Sequence, residues 1–385
     1  MTNLDSANKV PIRILHVVTA MNRGGLETML MNFYRNIDRN VVQFDFLVHR
    51  SQKGDYDNEV LKMGGKIYRL PNISLKNIKG YISEMTKFFK EHTEYSIVHS
   101  HIDALSCIPL KIAKNAHVPV RIAHSHNNNF EMDSKYPIRM LLKKMIKGNA
   151  TDLFACSSEA FEFMFGLKCK EGAVVNNAID TSKFKFSREI RIEKRKELGI
   201  DNKFVVGHIG RFHFQKNHEF LIDIFKKVYD KDKDAVLVLI GAGADEEKIK
   251  MKVSDLGLDK AVKFLGVRSD ISDLMQTMDV FVLPSRFEGL GIVLIEAQAT
   301  GLKCFTSDKV VPEEAKVTDL LEFIALEKSA EFWANEILRY KSGYERKDTT
   351  QQIIDAGFEI QSVAKRLQEF YLVKHQKIMG CDYVR

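Results

Sequence analysis

Short apolar runs alternate with stretches of helical periodicity along the 385-residue chain. In the first half, the runs of strand length are Ile12–Thr19, Phe44–His49, Lys66–Leu70, Ile97–Ser100, Val120–His124, Leu153–Cys156 and Ala173–Val175. In the second half they are Phe204–Gly210, Ala235–Gly241, Val262–Leu265, Val280–Pro284 and Cys304–Ser307. Nearly continuous apolar strands separated by amphipathic segments predict βα units around parallel sheets. The polar stretch Asn177–Lys203, with its charged run Arg188–Lys196, reads as a linker between two sets of such units. The expected class is α/β: two doubly wound domains, residues 1–185 and 186–385, with a cleft between them. The last helical patterns are Phe332–Tyr340 and Ile360–His375; the final one, about residues 360–376, is a candidate to pack back on the first domain. In such sheets, ligands bind beyond the carboxyl ends of the strands.

Charge changes the picture more than composition does. Hydrophobic residues make up 45% of the chain and charged residues 28%, ordinary values for a globular protein. Residues 1–185 hold 26 Lys and Arg against 18 Asp and Glu, whereas the remainder holds 32 against 33. A basic first half predicts an anionic partner there. A membrane surface or lipid phosphate fits better than nucleic acid, because no nucleic-acid-binding motif is present. The densest basic segment, Lys135–Lys147, interleaves Arg139, Lys143, Lys144 and Lys147 with Met140, Leu141, Leu142, Met145 and Ile146. That is the pattern of an interfacial amphipathic helix, and equally of a solvated face over a core. No run approaches the length of about 18–20 apolar residues that spans a bilayer. Arg13 and His16 interrupt the first apolar run, so a signal peptide is not expected. Cys107, Cys156, Cys169, Cys304 and Cys381 form no CxxC pair. Their odd number fits a reducing compartment, and a cytoplasmic location at the inner face of the cell membrane is expected.

Three loops carry candidate chemistry. The first is Pro284–Ala297, in which Glu288 and Glu296 flank the glycine-bounded segment Gly289-Leu290-Gly291-Ile292 after a buried strand. Backbone N–H groups at a helix start there would seat a phosphate. If the whole segment were helical, the carboxylates would be about 12 Å apart along the axis. That is too far for a paired acid and base, and suited to the two ends of one elongated ligand such as a sugar nucleotide. The second is Gly210–Glu219, which puts Arg211 and Lys216 beside a helix start, where two cations would offset a diphosphate. The third is Asn22–Thr28, whose Gly24-Gly25 pair lets backbone approach a phosphate or sugar closely. Two His-x-His pairs, His99/His101 and His124/His126, end strands of the first domain with both rings of a pair on one side. Without a carboxylate or cysteine to complete a metal set, one imidazole, with His126 first in line, is expected to donate a hydrogen bond into the cleft. Gly241-Ala242-Gly243 lacks the third glycine of a dinucleotide fingerprint. Asp55-Tyr56-Asp57 has the DxD form of metal-dependent sugar transferases, but lies away from a strand end and reads as a solvated turn.

Taken in order, Gly24-Gly25, Gly210-Arg211 with Lys216, and Glu288…Glu296 resemble the retaining glycosyltransferases of family four, with the GT-B fold of two Rossmann-like domains. Arg121–Asn127, Val293–Ala299 and Ser307-Asp308 are most similar to the capsular and exopolysaccharide transferases of that family. The resemblance implies that Arg211 and Lys216 bind the donor diphosphate, Glu296 the ribose hydroxyls, and Glu288 the transferred sugar. It implies phosphate and sugar contacts from the backbone of Gly25, Gly289, Leu290, Gly291 and Ile292, with Gly24 beside them. It also implies that His126, or alternatively His124, meets the donor sugar near its reacting carbon. Gly291 stands where proline is common, which predicts a more mobile loop.

The expected catalytic set is therefore His126, Glu288, Arg211 and Lys216. The donor is a nucleoside diphosphate sugar, expected to be UDP-linked, and the acceptor a saccharide or lipid-linked saccharide. No cofactor and no metal are expected, and retention is implied by the resemblance alone. The competing readings are a sugar-nucleotide epimerase on the same scaffold and a non-catalytic sugar or nucleotide binder.

Overall fold

A computed structural model describes residues 10–74, 76–130, 132–166 and 172–380; Cys169, Cys381 and most of the polar N-terminal stretch lie outside them. The chain forms two compact units, residues 1–178 with 360–385, and residues 179–359.

The first unit has strands β1 (Ile12–Val18), β2 (Val42–Val48), β3 (Ile67–Arg69), β4 (Ile97–Ser100), β5 (Val120–Ser125), β6 (Asp152–Ala155) and β7 (Ala173–Val174). They form a parallel sheet in the order β3-β2-β1-β4-β5-β6-β7. Phe44, Phe46, Ile14 and Val18 point to one face and meet Leu30, Phe33 and Tyr34 of the helix Gly25–Asn36. The helix Ile360–Ile378 closes that face, burying Ile360, Val363, Ala364, Leu367 and Tyr371, an i, i+3, i+4, i+7, i+11 stripe.

The second unit has β8 (Phe204–Ile209), β9 (Ala235–Ile240), β10 (Val262–Phe264), β11 (Val280–Leu283), β12 (Lys303–Ser307) and β13 (Leu321–Ile324). Their order is β10-β9-β8-β11-β12-β13, again parallel. Every predicted strand is present. The added edge strand β13 hides in Asp319–Ala325, where acids interrupt the apolar alternation; Glu322 pairs with Lys303 of β12 at 2.5 Å.

The segment expected to link the domains is folded. The division falls between Ala178 and Ile179, not at residue 185. The helix Arg188–Leu198 belongs to the second unit, capped by Ser187, which accepts from the N–H of Ile190, and closed by Gly199 at φ +64°. Its charged run holds a buried group: Arg195 is 8% exposed and donates to Asp279 at 2.6 Å. Asp279 also accepts from Arg191 and from the backbone N–H of Val205, so the charges tie the helix to β8 and β11.

The reading of Asp55-Tyr56-Asp57 as a solvated turn is also corrected. Tyr56 and Asp57 are buried, Asp57 pairs with Arg69, and the Tyr56 hydroxyl lies 2.9 Å from that of Thr28. Asp55 accepts from the N–H of Arg23 at 3.0 Å. Asp55 and Tyr56 thus brace the segment that carries Gly24-Gly25, and Asp57 ties it to β3, roles a pattern of isolated acids does not disclose.

Candidate active site

In the second unit the strand order reverses between β8 and β11, which pair side by side. Their carboxyl ends carry the loops 210–217 and 284–291. Adjacent strands at such a switch point splay their following loops apart and leave a crevice. The structure brings Lys216 and Glu288 together there, with Arg211 on the first of these loops, whereas His126, Gly24 and Gly25 belong to the first unit. Lys216 ends the short 3₁₀ turn Phe214–Lys216, and its Nζ lies 2.6 Å from Oε1 of Glu288. Glu288 is 4% exposed and is held by two further donors: the Ser285 hydroxyl at 2.6 Å and the Gln215 amide at 3.4 Å. Gln215 also donates to the Phe287 carbonyl, and the N–H of Arg286 donates to the Gln215 carbonyl, so the two loops are laced through their backbones. Sequence reasoning missed Ser285 and Gln215; the signal available was their adjacency to Glu288 and Lys216.

A lysine ammonium has three donors. With one directed at Glu288, two remain for phosphate oxygens. Arg211 is exposed and forms no ion pair among the described residues. The loop that carries it is shaped by the glycines set aside as a failed dinucleotide motif. Gly241 has φ +137°, and a Cβ there would sit 2.1 Å from the Gly210 carbonyl oxygen. A Cβ on Gly243 would sit 2.2 Å from that of Phe212. Their absence lets Phe212 N–H reach the Ala242 carbonyl and fixes the Arg211 backbone.

The helix after Glu288 starts at Ile292, not at Glu288, so the axial spacing expected for an unbroken helix does not apply. Gly291 is its N-cap at φ +77°, a conformation closed to proline and strained for other residues. Among the described residues the N–H groups of Leu290, Gly291 and Ile292 meet no acceptor. Glu296 lies one turn further on. Its residue surface is only part-buried, yet protein packs around the carboxyl and no described side chain pairs with it. Burial alone pushes this carboxyl up to about 8.

In the first unit Gly24 caps the helix Gly25–Asn36, and the space a Cβ on Gly25 would take is open. The histidines form a larger cluster than expected, because His16 of β1 joins them. His16 faces His99 across the β1–β4 ladder, and each hydrogen bond then steps two residues onward to the next strand. His16 Nδ1 lies 2.9 Å from His101 Nε2, and His101 Nδ1 3.0 Å from His126 Nε2. A second chain runs from the Tyr371 hydroxyl to His99 Nδ1 at 2.7 Å and from His99 Nε2 to His124 Nδ1 at 3.1 Å. Burial holds all five rings below their ordinary value, so they are neutral at pH 7. Ring nitrogens of His16, His99 and His101, and of His101, His124 and His126, come within 4.8 Å of one another. The rings of His99 and His101 stack at 4.2 Å and 25°, those of His124 and His126 at 4.2 Å and 29°. Stacked rings direct their in-plane lone pairs side by side and not to one point, so the packing suits edge-to-edge hydrogen bonds better than a tetrahedral ion. Asp103, at φ +47°, accepts from the His126 backbone N–H at 3.1 Å and from the Asn127 amide at 2.8 Å.

With this geometry in place, comparison with known proteins is informative. Residues 190–357 match the profile of the glycosyl transferases group 1. EpsF of Bacillus subtilis, which carries a provisional glycosyltransferase name, is 34% identical over 95% of this chain and 97% of its own. The UDP-Gal:alpha-D-GlcNAc-diphosphoundecaprenol alpha-1,3-galactosyltransferase of Escherichia coli is 28% identical over 62% of this chain and 64% of its own. The solved structure of Anabaena HepE with UDP and glucose superposes with a TM-score of 0.77 at 20% identity, covering 94% of this chain and 99% of that one. The fold is GT-B, and the chain belongs to the group 1 glycosyltransferases.

Proposed function

We propose that this glycosyltransferase is retaining and metal-independent, moving a sugar from a UDP-linked donor to a lipid-linked saccharide in surface polysaccharide synthesis. The observation that carries the reading is the Lys216–Glu288 pair, fixed by Ser285 and Gln215 beside unpaired backbone N–H groups. The donor's diphosphate is held by Arg211, Lys216 and the N–H groups of Leu290 to Ile292. Glu296 accepts from the ribose hydroxyls, Glu288 from the transferred sugar, and His126 meets that sugar near its reacting carbon. As the bond from the anomeric carbon to the diphosphate oxygen breaks, the electron pair leaves with UDP and negative charge grows on the diphosphate. Fixed cations and amide dipoles stabilise that charge, the task a metal performs in other transferases. The acceptor hydroxyl bonds to the anomeric carbon on the face UDP leaves, and its proton passes to a phosphate oxygen. The UDP-galactose donor and diphosphoundecaprenol-linked acceptor in the Escherichia coli relative's name support this choice of substrates.

A peripheral membrane contact fits the basic first unit. The helix Tyr136–Met145 buries no residue, and Leu141 and Met145 are exposed beside Lys144 and Lys147. Among the described residues no helix is long and apolar enough to cross a membrane. Sedimentation with vesicles should show binding to anionic lipid that salt releases; equal binding to neutral vesicles would remove this contact from the proposal.

The deciding experiment incubates the protein with single UDP-sugars and a lipid-linked saccharide, with and without EDTA, and follows the product's anomeric configuration by NMR. Retained α-configuration and undiminished turnover in EDTA are expected. Inversion, or activity restored only by magnesium, would overturn the reading.

A further inference from the structure

The loops that follow β8 and β11 touch along a register as well as at one ion pair. Three consecutive residues of the first, Phe214 to Lys216, reach in turn to Arg286, Phe287 and Glu288 of the second. The Arg286 guanidinium carbon lies over the Phe214 ring, 4.5 Å from its centroid. The Gln215 amide donates to the Phe287 carbonyl at 3.0 Å, and the Gln215 carbonyl accepts from the Arg286 N–H at 2.8 Å. Lys216 meets Glu288 at 2.6 Å. The inner rung of this short ladder carries the two charges proposed to serve the donor. The outer rung, Phe214 with Arg286, has no part in that scheme.

The first loop is clamped at its base and pinned at its tip by different means. At the base, Phe212 is 1% exposed and stacks on the ring of His218 at 4.2 Å and 18°, joining the two sides of the loop. The tip is the three-residue 3₁₀ turn Phe214–Lys216. Hydrogen bonds within so short a 3₁₀ turn are poorly aligned, so its position depends on what it rests against. Phe214 is 55% exposed, and burial therefore does little to hold it. Arg286 is also exposed and forms no ion pair among the described residues. The stack between them is the contact that orders both side chains. At an exposed site, attraction between a cation and a ring face biases a conformation by a factor of roughly two to five.

On the reading that Lys216 stabilises the departing diphosphate, we infer that Phe214 and Arg286 are positioning residues. Their stack pins the tip of the first loop to the second, and so sets where the Lys216 ammonium stands as negative charge grows. They touch no reacting atom and act through Lys216.

The test compares steady-state kinetics, with a UDP-sugar and acceptor, for the full-length wild type, Phe214→Ala, Arg286→Met and the double variant. Each single variant should lose about threefold to fivefold in kcat, with KM for donor changed less than about twofold, because the displaced charge acts mainly on the transition state. The double variant should lose no more than either single one, since both remove the same rung. Independent contacts would multiply to about 9- to 25-fold, and that result overturns the inference. Phe214→Trp keeps a ring face for the guanidinium and should retain wild-type kcat. A folded Phe214→Ala protein of wild-type kcat also overturns it. So does a loss in Arg286→Met about tenfold beyond that in Phe214→Ala, which would mean that the guanidinium meets substrate itself. Both side chains are exposed, so these variants should fold and melt within a few degrees of the wild type. Lys216→Ala separates the two readings. Full activity there removes the charge-stabilising role of the lysine. Lost activity there, beside an unaffected Phe214→Ala, removes only the role of the stack.

Discussion

The Nζ of Lys216 and Oε1 of Glu288 lie 2.6 Å apart, joining the loops that follow β8 and β11. The pairing solves two problems at once. Glu288 is buried and would be costly as a lone charge, and Lys216 is a flexible side chain that the proposed scheme needs held where the diphosphate would arrive. Each charge fixes the other, and because an ammonium keeps two further donors, the cation remains available to phosphate.

Replacing Lys216 with alanine should therefore abolish turnover by about 100- to 1,000-fold, the loss that follows removal of one oriented donor to developing charge. Ser285 and Gln215 continue to serve the Glu288 carboxylate. The variant should stay folded, with its melting temperature lowered by a few degrees. Steady-state kinetics with circular dichroism decide the matter; a folded Lys216→Ala protein of near-normal kcat would remove the lysine from the charge-stabilising role.

Ser285 is the more discriminating position, because it touches no ligand in this scheme and only holds Oε1 of Glu288. Ser285→Ala should lower kcat about tenfold through a mispositioned carboxylate, with the loss of roughly 2 kcal/mol of stability expected for one hydrogen bond to a charged group. Ser285→Thr retains the hydroxyl and should recover most activity. Equal kinetics for the alanine and threonine variants would show that Glu288 is placed by Lys216 alone.

Asp279 tests the charged helix that looked like a linker. It receives Arg191, Arg195 and the N–H of Val205, away from the loops that carry Arg211, Lys216 and Glu288. Asp279→Ala leaves two guanidinium groups without their anion and should destabilise the second unit by about 3 kcal/mol. Urea unfolding of the full chain followed by the fluorescence of Trp333, buried in that unit, measures it. A shift under 1 kcal/mol would mean the run is merely solvated.

How far the sequence discloses these arrangements depends on whether the signal is periodic. The strands were legible because parallel sheets are buried on both faces and leave unbroken apolar runs, such as Ala235–Ile240, where all six residues are buried. Lys216 and Glu288 were legible as members of a motif, but their contact was not, since 72 residues separate them and only the β8–β11 pairing makes them neighbours. The charged run Arg188–Lys196 misled because polarity alone does not tell a solvated face from one that buries arginine against a distant aspartate. Its Ser187 cap and Gly199 stop were the better guides. His16 escaped notice because a lone histidine in an apolar strand carries no spacing, and it meets His99 only through the β1–β4 register.

Glu296 yields the last prediction, and its sign follows from burial. The carboxyl is raised to about 8 in the folded chain, above the ordinary value of 4.5. Between those two values the folded protein keeps a proton that the unfolded chain has given up, so this group's contribution to stability is full below pH 4.5 and is lost as pH rises through 8. Glu296→Gln has no such proton, and its melting temperature should gain steadily on the wild type from pH 5 to pH 8.5. Ribose hydroxyls donate to the charged form and favour it, so nucleotide binding at pH 7.5 should expel a proton from the wild type and none from the variant. Calorimetric titration of UDP in buffers of different ionisation enthalpy reads that proton directly. Identical pH slopes in the two proteins, together with equal proton release, would place the ribose elsewhere than at Glu296.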